Sequence, residues 1–156
     1  MNEKETACAD DCSAMGWVFR LLIFAQVILV GVIVFTTSAN YQWYIWLVQA
    51  IGIGIGVWAL FTMGRFFSIS PKLKEAAPLR TGGPYRFVRH PMYLALMIFC
   101  GAFVLGDFSI YAFAALMALL LVLSIKVHYE ERILRSRFSD YPNYSQKTKR
   151  IVPFLF

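Results

Sequence analysis

The stretch that decides the fold is TGGPYRFVRHPMYLALM, residues 81–97, in which a polar segment turns directly into an apolar one. Two arginines and a histidine lie between its two prolines, and the apolar run follows without a spacer. Proline is favoured at the first position of a helix, because its missing N–H group is not needed there. The sequence therefore predicts a helix that begins at Pro91, with His90 as its N-cap residue and Tyr93 in its first turn.

The composition of the whole chain places this helix in a membrane. Of its 156 residues, 59% are hydrophobic and only 15% are charged, and the mean hydropathy is +0.60. A soluble domain of this size cannot bury so much apolar surface. We therefore expect an all-α integral membrane protein that forms one domain over residues 1–156. Without a soluble domain, the net charge of +6 does not indicate a nucleic-acid-binding surface.

Four apolar segments predict about four transmembrane helices, with bounds near 17–37, 43–63, 91–106 and 108–127. The third is shorter than the roughly 20 residues that a spanning helix needs, so we expect it either to begin in the membrane interface or to cross with little tilt. Only GDF separates it from the fourth, which predicts a helical hairpin. Residues 1–16 are predicted to be a polar tail. Residues 128–156 are predicted to be a C-terminal tail that extends the fourth helix and breaks at DYPNY (140–144).

The distribution of lysine and arginine predicts the orientation of the chain. Six basic residues lie in the connection 64–90 and others follow residue 127, whereas the first connection has no charge. Basic flanks remain on the cytoplasmic side, so we expect both termini and the loop 64–90 to be cytoplasmic. This loop mixes aromatic and basic residues, which is typical of chain that lies along lipid headgroups.

The second apolar segment contains GIGIG at residues 52–56. No strand precedes it, so it does not match a nucleotide-binding glycine motif. The spacing of Gly52 and Gly56 is instead typical of close packing between helices in a membrane. It also leaves room for a homodimer through these two glycines.

The polar residues at the start of the third helix form the first candidate site. Free N–H groups at a helix N-terminus favour a carboxylate or a phosphate. Arg86 is expected to be an anchor whose charge reaches the membrane surface. A functional role is predicted for the set Tyr85, Arg89, His90 and Tyr93. No metal site is expected, because the cysteines at 8 and 12 have no nearby histidine or cysteine to complete a ligand set.

The second candidate site is KVHYEERIL, residues 126–134, at the end of the fourth helix. Lys126 and Glu130 are one turn apart and share a face. Glu130 also lies on the apolar side, where a carboxylate near a membrane needs a partner. Glu131 points elsewhere and can pair with Arg135 across one turn.

Together the two sites favour one ligand with a negative part for Arg89 and the helix N-terminus, and a cationic or hydroxyl-rich part for Glu130. S-adenosylmethionine has a carboxylate, an ammonium group, a sulfonium and a ribose diol, and so it fits. NADPH would suit the basic loop, but it requires more phosphate ligands than this pattern offers.

The stretches LRTGGPYRFVRHPMYLALM, EERILRSRF, YPNY and RIVPF resemble the isoprenylcysteine carboxyl methyltransferase family and the related membrane phospholipid methyltransferases. The resemblance covers residues 79–154, about half of the chain. It implies a helical membrane enzyme that uses S-adenosylmethionine at the cytoplasmic side. A lipophilic substrate would reach this cofactor from the bilayer.

The resemblance also implies roles for individual residues. It implies cofactor binding by Leu79, Arg80, Tyr85, His90, Pro91, Met92, Tyr93 and Glu130. Arg89 and Lys126 are predicted as catalytic residues, with Lys126 at a position where prenylcysteine-processing members carry an arginine on the substrate side. A lysine cannot make the same two-pronged contact with a carboxylate. FSDY (138–141) is also one residue shorter than the family spacing, and only two predicted spans precede the motif.

Two other classes of protein stay open on the sequence. One is an NADPH-dependent membrane reductase of sterol or enone lipids, which would have a similar helical architecture. The other is a non-catalytic membrane scaffold with the same fold. For a methyltransferase, the sequence leaves the methyl acceptor open between a carboxylate, a thiol and an amine.

Overall fold

The described parts of the chain, residues 3–37, 42–64 and 79–151 of a computed structural model, are built from helices; side chains are described from residue 16 on. The helices are α1 (Glu3–Thr36), α2 (Trp43–Met63), α3 (Pro91–Gly106), α4 (Ile110–Arg137) and α5 (Tyr141–Lys147). A single 3₁₀ turn, Gly83–Arg86, precedes α3. The prediction of an all-α membrane protein is confirmed.

Three of these helices are long and apolar enough to cross a membrane, namely α2, α4 and the part of α1 from Gly16–Thr36. The third predicted segment is α3, whose 16 residues extend about 24 Å, less than the ~30 Å hydrocarbon core. The three-residue connection 107–109 joins α3 to α4 as a hairpin, as predicted. Helix α1 also continues back through the predicted polar tail to Glu3.

The tail after α4 differs in one respect from the prediction. Helix α4 does extend the fourth apolar segment, but it ends at Arg137, so the break covers residues 138–140 and overlaps DYPNY only at Asp140. Tyr141 begins α5, and Pro142 lies in its first turn. A proline in the first turn begins a helix as readily as it ends one. Most of the predicted interfacial loop, 65–78, and the apolar end, 152–156, lie outside the described residues.

The helices pack mainly in two pairs, α2 with α3 and α1 with α4. A Cβ atom on Gly52 would lie 3.0 Å from the Ala95 carbonyl oxygen and 3.1 Å from the Phe99 nitrogen, so a larger residue would require the backbone of α3 to shift by a few tenths of an ångström. Gly56 makes an ordinary contact, 3.4 Å, with the Ala95 side chain. The predicted close packing therefore occurs within one chain. Helix α3 covers this glycine face, so the structure does not support a homodimer through Gly52 and Gly56.

The core lies where α1, α3 and α4 meet. Its fully buried members are Ile33 of α1, Cys100 of α3, and Ala112, Leu119 and Leu123 of α4. Large apolar side chains on the opposite faces are exposed, among them Phe24, Trp46 and Phe61. Such outward apolar faces suit helices surrounded by lipid. This packing places the start of α3 beside the polar end of α4.

Candidate functional site

The site begins at the N-terminus of α3, where the chain enters the helix as the sequence predicts. His90 is the N-cap residue, and its carbonyl oxygen accepts hydrogen bonds from the N–H groups of Tyr93 and Leu94, at 3.1 and 3.2 Å. Pro91 occupies the first helical position and is buried. The side chains of His90 and Tyr93 therefore leave the same end of α3 and stack, with ring centroids 5.7 Å apart.

Glu130 of α4 meets both of these side chains. The Tyr93 hydroxyl donates to Glu130 Oε1 at 2.5 Å, and His90 Nδ1 lies 3.3 Å from Glu130 Oε2. The Glu130 side chain is 26% exposed, so one side of the carboxylate remains open. The structure thus brings together three residues that the sequence places in two separate motifs.

Glu131, the next residue along α4, has a different environment. Its side chain is only 5% exposed, and Arg89 Nη1 lies 3.1 Å from its Oε1. Arg135 and Arg150 approach Oε2 at 3.5 and 3.4 Å, and His90 Nε2 lies 3.8 Å from Oε1. The sequence predicted the contact with Arg135 but missed the others. Glu131 therefore belongs to the cluster even though it was not predicted as a site residue.

The chain that follows α5 forms backbone hydrogen bonds with the residues just before α3. The Arg89 N–H donates to the Lys149 carbonyl at 2.8 Å, and the His90 N–H donates to the Arg150 carbonyl at 3.0 Å. Val88 and Lys149 form an isolated parallel bridge. We refer to residues 148–150 as the C-terminal segment. It holds the backbone of the Arg89–His90 pair.

Tyr85 connects the turn before α3 to α5. Its carbonyl oxygen accepts a hydrogen bond from the Tyr144 hydroxyl at 2.6 Å, and its side chain is buried. Burial raises the pKa of Tyr85 to about 12, with smaller contributions from Tyr144 and Glu130. The phenol therefore stays protonated over the physiological range and can act as a donor.

Lys126 lies one turn before Glu130 and is also buried, at 5% exposure. Its ammonium group donates to Gln26 Oε1 of α1 at 2.7 Å. It also lies over the rings of Phe19 and Tyr93, 5.3 and 5.0 Å from their centroids. Gln26 was missed in the sequence, where the only signal is a polar side chain inside an apolar span.

The other predicted site residues lie around this cluster. Leu79, Arg80 and Met92 are half-buried, the first two ahead of the 3₁₀ turn and the third in the first turn of α3. Arg86 is exposed, as expected for an anchor. Within the described part of the chain, no group of three or more histidine, cysteine or acidic residues could hold a metal ion.

His90 lies between the carboxylates of Glu130 and Glu131, and these two groups favour its protonated form. Burial by itself would lower the pKa of His90, but hydrogen bonds and charge interactions with Glu130 and Glu131 outweigh it and raise the pKa. The imidazolium form is thus favoured relative to a free histidine. The site consequently combines a cationic rim with one partly open carboxylate.

The donor set fits the polar parts of S-adenosylmethionine. Each carboxylate oxygen of Glu130 meets one protein group and can accept at least one further hydrogen bond, as from an ammonium or a ribose hydroxyl. Three arginines surround the single carboxylate of Glu131, so the cluster carries excess positive charge. This excess suits the carboxylate of a ligand.

Comparisons with known proteins identify relatives of the chain. The family described as phospholipid methyltransferase matches residues 41–141. Two proteins named "Probable protein-S-isoprenylcysteine O-methyltransferase", from Oryza sativa subsp. indica and subsp. japonica, are each 33% identical over 117 residues. The alignment covers 72% of this chain but 61% of each relative, so the chain spans about three-fifths of their length. The resemblance on which the sequence interpretation rests is confirmed.

Proposed function

Because the chain belongs to the phospholipid methyltransferase family, we propose that it is an S-adenosylmethionine-dependent methyltransferase acting on a lipophilic, membrane-borne acceptor. The observation that carries this proposal is the contact of Glu130 with Tyr93 and His90 at the edge of the apolar helices. It supports a polar cofactor site that opens next to a lipid-facing surface. The excess of basic residues in the flanks supports a cytoplasmic position for this site.

Different residues of the site would contact different parts of the cofactor. Glu130 would hold its cationic or hydroxyl-rich part, and Arg89 and His90 would face its carboxylate. Tyr85, Pro91, Met92 and Tyr93 would line the pocket, and Leu79 and Arg80 would contact the cofactor from just upstream. Bound S-adenosylmethionine supplies a methyl group that its sulfonium already activates. The work of the protein is therefore mainly alignment and exclusion of water.

Lys126 is proposed to lie on the acceptor side of the site. It is buried between α1 and α4, and it contacts the same Tyr93 ring whose hydroxyl reaches Glu130. A buried ammonium group in an apolar layer is stabilised by an acceptor that brings negative charge or oxygen atoms. An acceptor that enters between the apolar helices would meet it next to the cofactor site.

Ligand binding to purified protein in detergent tests the proposal. Wild type should melt at a higher temperature with S-adenosylhomocysteine than without it, and NADPH should leave the melting temperature unchanged. Glu130→Gln should weaken the binding of labelled S-adenosylmethionine about tenfold or more, because a charge-assisted contact is lost. The matched control is Asp140→Asn, which removes an exposed carboxylate outside the site and should bind as wild type does.

Unchanged binding in Glu130→Gln would remove this carboxylate from the cofactor site. Stabilisation by NADPH alone would instead favour the reductase class, and no response to either ligand would favour a scaffold. For the acceptor, we would incubate the enzyme and labelled S-adenosylmethionine with lipid extracts. Mass spectrometry of the labelled products then identifies which lipids carry the methyl group.

A further inference from the structure

Two neighbouring glutamates on α4 differ in what can reach them. Glu130 is 26% exposed, and among the described residues its carboxylate contacts Tyr93 and His90. Glu131 is 5% exposed, and cationic groups approach both of its oxygens. A ligand could approach Glu130 from its open side, whereas access to Glu131 is blocked by protein.

We propose that Glu131 is a positioning residue, which fixes Arg89, His90 and the C-terminal segment together while Glu130 contacts the cofactor. This inference rests on the proposed function and adds a role to a residue outside the predicted site. Arg89 precedes α3, Glu131 lies on α4, and Arg150 follows α5. One buried carboxylate therefore joins three parts of the chain that are distant in sequence.

The backbone contacts show why the three parts need a common partner. The Arg89 and His90 N–H groups donate to the C-terminal segment, and the side chains of Arg89 and Arg150 then converge on Glu131. The start of α3 is thus joined to the C-terminal segment twice, directly by backbone hydrogen bonds and indirectly through the Glu131 carboxylate. Without it, the guanidinium of Arg89, whose side chain is 8% exposed, would lose its closest acidic partner and repel Arg150.

The charges around His90 provide a readout of this role. The imidazole faces Glu130 and Glu131 of α4 and stacks on Tyr93 of α3, and its backbone contacts the C-terminal segment. Removing the negative charge of Glu131 makes the imidazolium less favourable. Removing the positive charge of Arg150 does the opposite, because it relieves repulsion and leaves Glu131 less neutralised.

Nuclear magnetic resonance measures this directly, because the chain contains only two histidines. In protein labelled with ¹³C at the histidine ring, His128→Asn removes one of the two ring signals and so assigns the other to His90. We expect the midpoint of His90 to move to lower pH in Glu131→Gln and to higher pH in Arg150→Gln. The matched control is Arg132→Gln, which removes an exposed arginine next to Glu131 that is not among the groups approaching its carboxylate, and it should leave the midpoint unchanged.

The second measurement is the affinity for S-adenosylhomocysteine. Glu131→Gln should weaken it about tenfold, Glu131→Asp should recover part of the loss because it restores the charge, and Arg132→Gln should match wild type. If Glu131→Gln does not fold, Arg150→Gln and Glu131→Asp carry the test, since the Arg150 side chain is half exposed.

A purely structural Glu131 would lower the melting temperature and leave the affinity for S-adenosylhomocysteine at the wild-type value, and this would overturn the inference. An Arg150→Gln midpoint that moves to lower pH would overturn it too. A wild-type protein that does not bind S-adenosylhomocysteine would overturn the proposed function. The titration of His90 needs no ligand, so the two failures are distinguishable.

Discussion

The two helix pairs of the membrane region are held together by different means. Helix α2 approaches α3 through Gly52, where a Cβ atom would lie about 3 Å from backbone atoms of α3. Helix α1 approaches α4 through side chains, and one contact is a hydrogen bond between Lys126 and Gln26. The packing of α2 on α3 depends on the small size of a glycine, whereas the packing of α1 on α4 includes the buried ammonium group of Lys126.

This difference indicates how the protein separates stability from chemistry. The α2–α3 contact packs the middle of α3 closely against α2, at Ala95 and Phe99. The α1–α4 contact brings a polar side chain from α1 to the neighbourhood of Glu130. We therefore expect changes in the first pair to alter stability mainly, and changes in the second to alter the use of the acceptor.

The largest expected effect is that of Gly52→Ala. The added methyl group would lie about 3 Å from two backbone atoms of α3, which cannot move aside as a side chain can. We expect the free energy of unfolding to fall by about 2 kcal/mol, seen as a lower melting temperature in detergent.

Gly54→Ala is the control for that change, because nothing lies within 4 Å of a Cβ atom at this position of the same helix. It should be neutral or stabilise the protein by up to about 1 kcal/mol, since alanine is the better helix former. Equal stabilities of the two variants would show that α2 and α3 do not approach at Gly52.

A smaller effect is expected from Gln26→Leu, which leaves the buried ammonium group of Lys126 without its hydrogen-bond acceptor on α1. We expect a loss of about 1 kcal/mol in the free energy of unfolding, in the range of polar contacts within membranes. The double variant Gln26→Leu/Lys126→Met removes both partners and should regain most of this stability.

The same pair of variants separates stability from acceptor use. The double variant should bind S-adenosylhomocysteine as wild type does, yet methylate its acceptor more slowly, in an assay with labelled S-adenosylmethionine and a lipid extract. Methylation at the wild-type rate would contradict the placement of Lys126 on the acceptor side.

The smallest expected effect is a pH dependence of the melting temperature that arises from His90, which joins the start of α3 to α4. The pKa of His90 is raised in the folded protein, so its contribution to stability is complete below its unfolded value of about 6.5. The contribution is lost as the pH rises through the folded value. The melting temperature of wild type should therefore fall between pH 6 and 9 more than that of His90→Asn. Parallel curves for the two proteins would exclude the ion contact.

Local signals in the sequence were sufficient for most of the fold. Apolar runs separated by polar connections predicted α1 to α4, and a proline after a polar residue predicted the start of α3. The contact of Glu130 with Tyr93 and His90 was also within reach, because a carboxylate on an apolar helix face needs a polar partner. Each of these arguments uses only the residue types within one short stretch of sequence.

The remaining parts depend on tertiary packing. Nothing near Glu131 in sequence distinguishes Arg150 from the other basic residues of the tail, and its contact arises only because the C-terminal segment turns back to Val88. Gln26 had no motif to connect it with Lys126. The YPNY stretch was ambiguous, because proline can end one helix or begin the next.

The position of the C-terminal segment has a consequence for how the protein is made. Lys149 and Arg150 follow all four apolar helices in the chain, so a ribosome would deliver them after α1 to α4 have entered the membrane. Until then, Arg89 and His90 lack the backbone partners that hold them. A nascent chain could thus complete its membrane insertion while it is still unable to assemble the site. The site would be completed only after residue 150 has been synthesised, and not when α1 to α4 integrate into the bilayer.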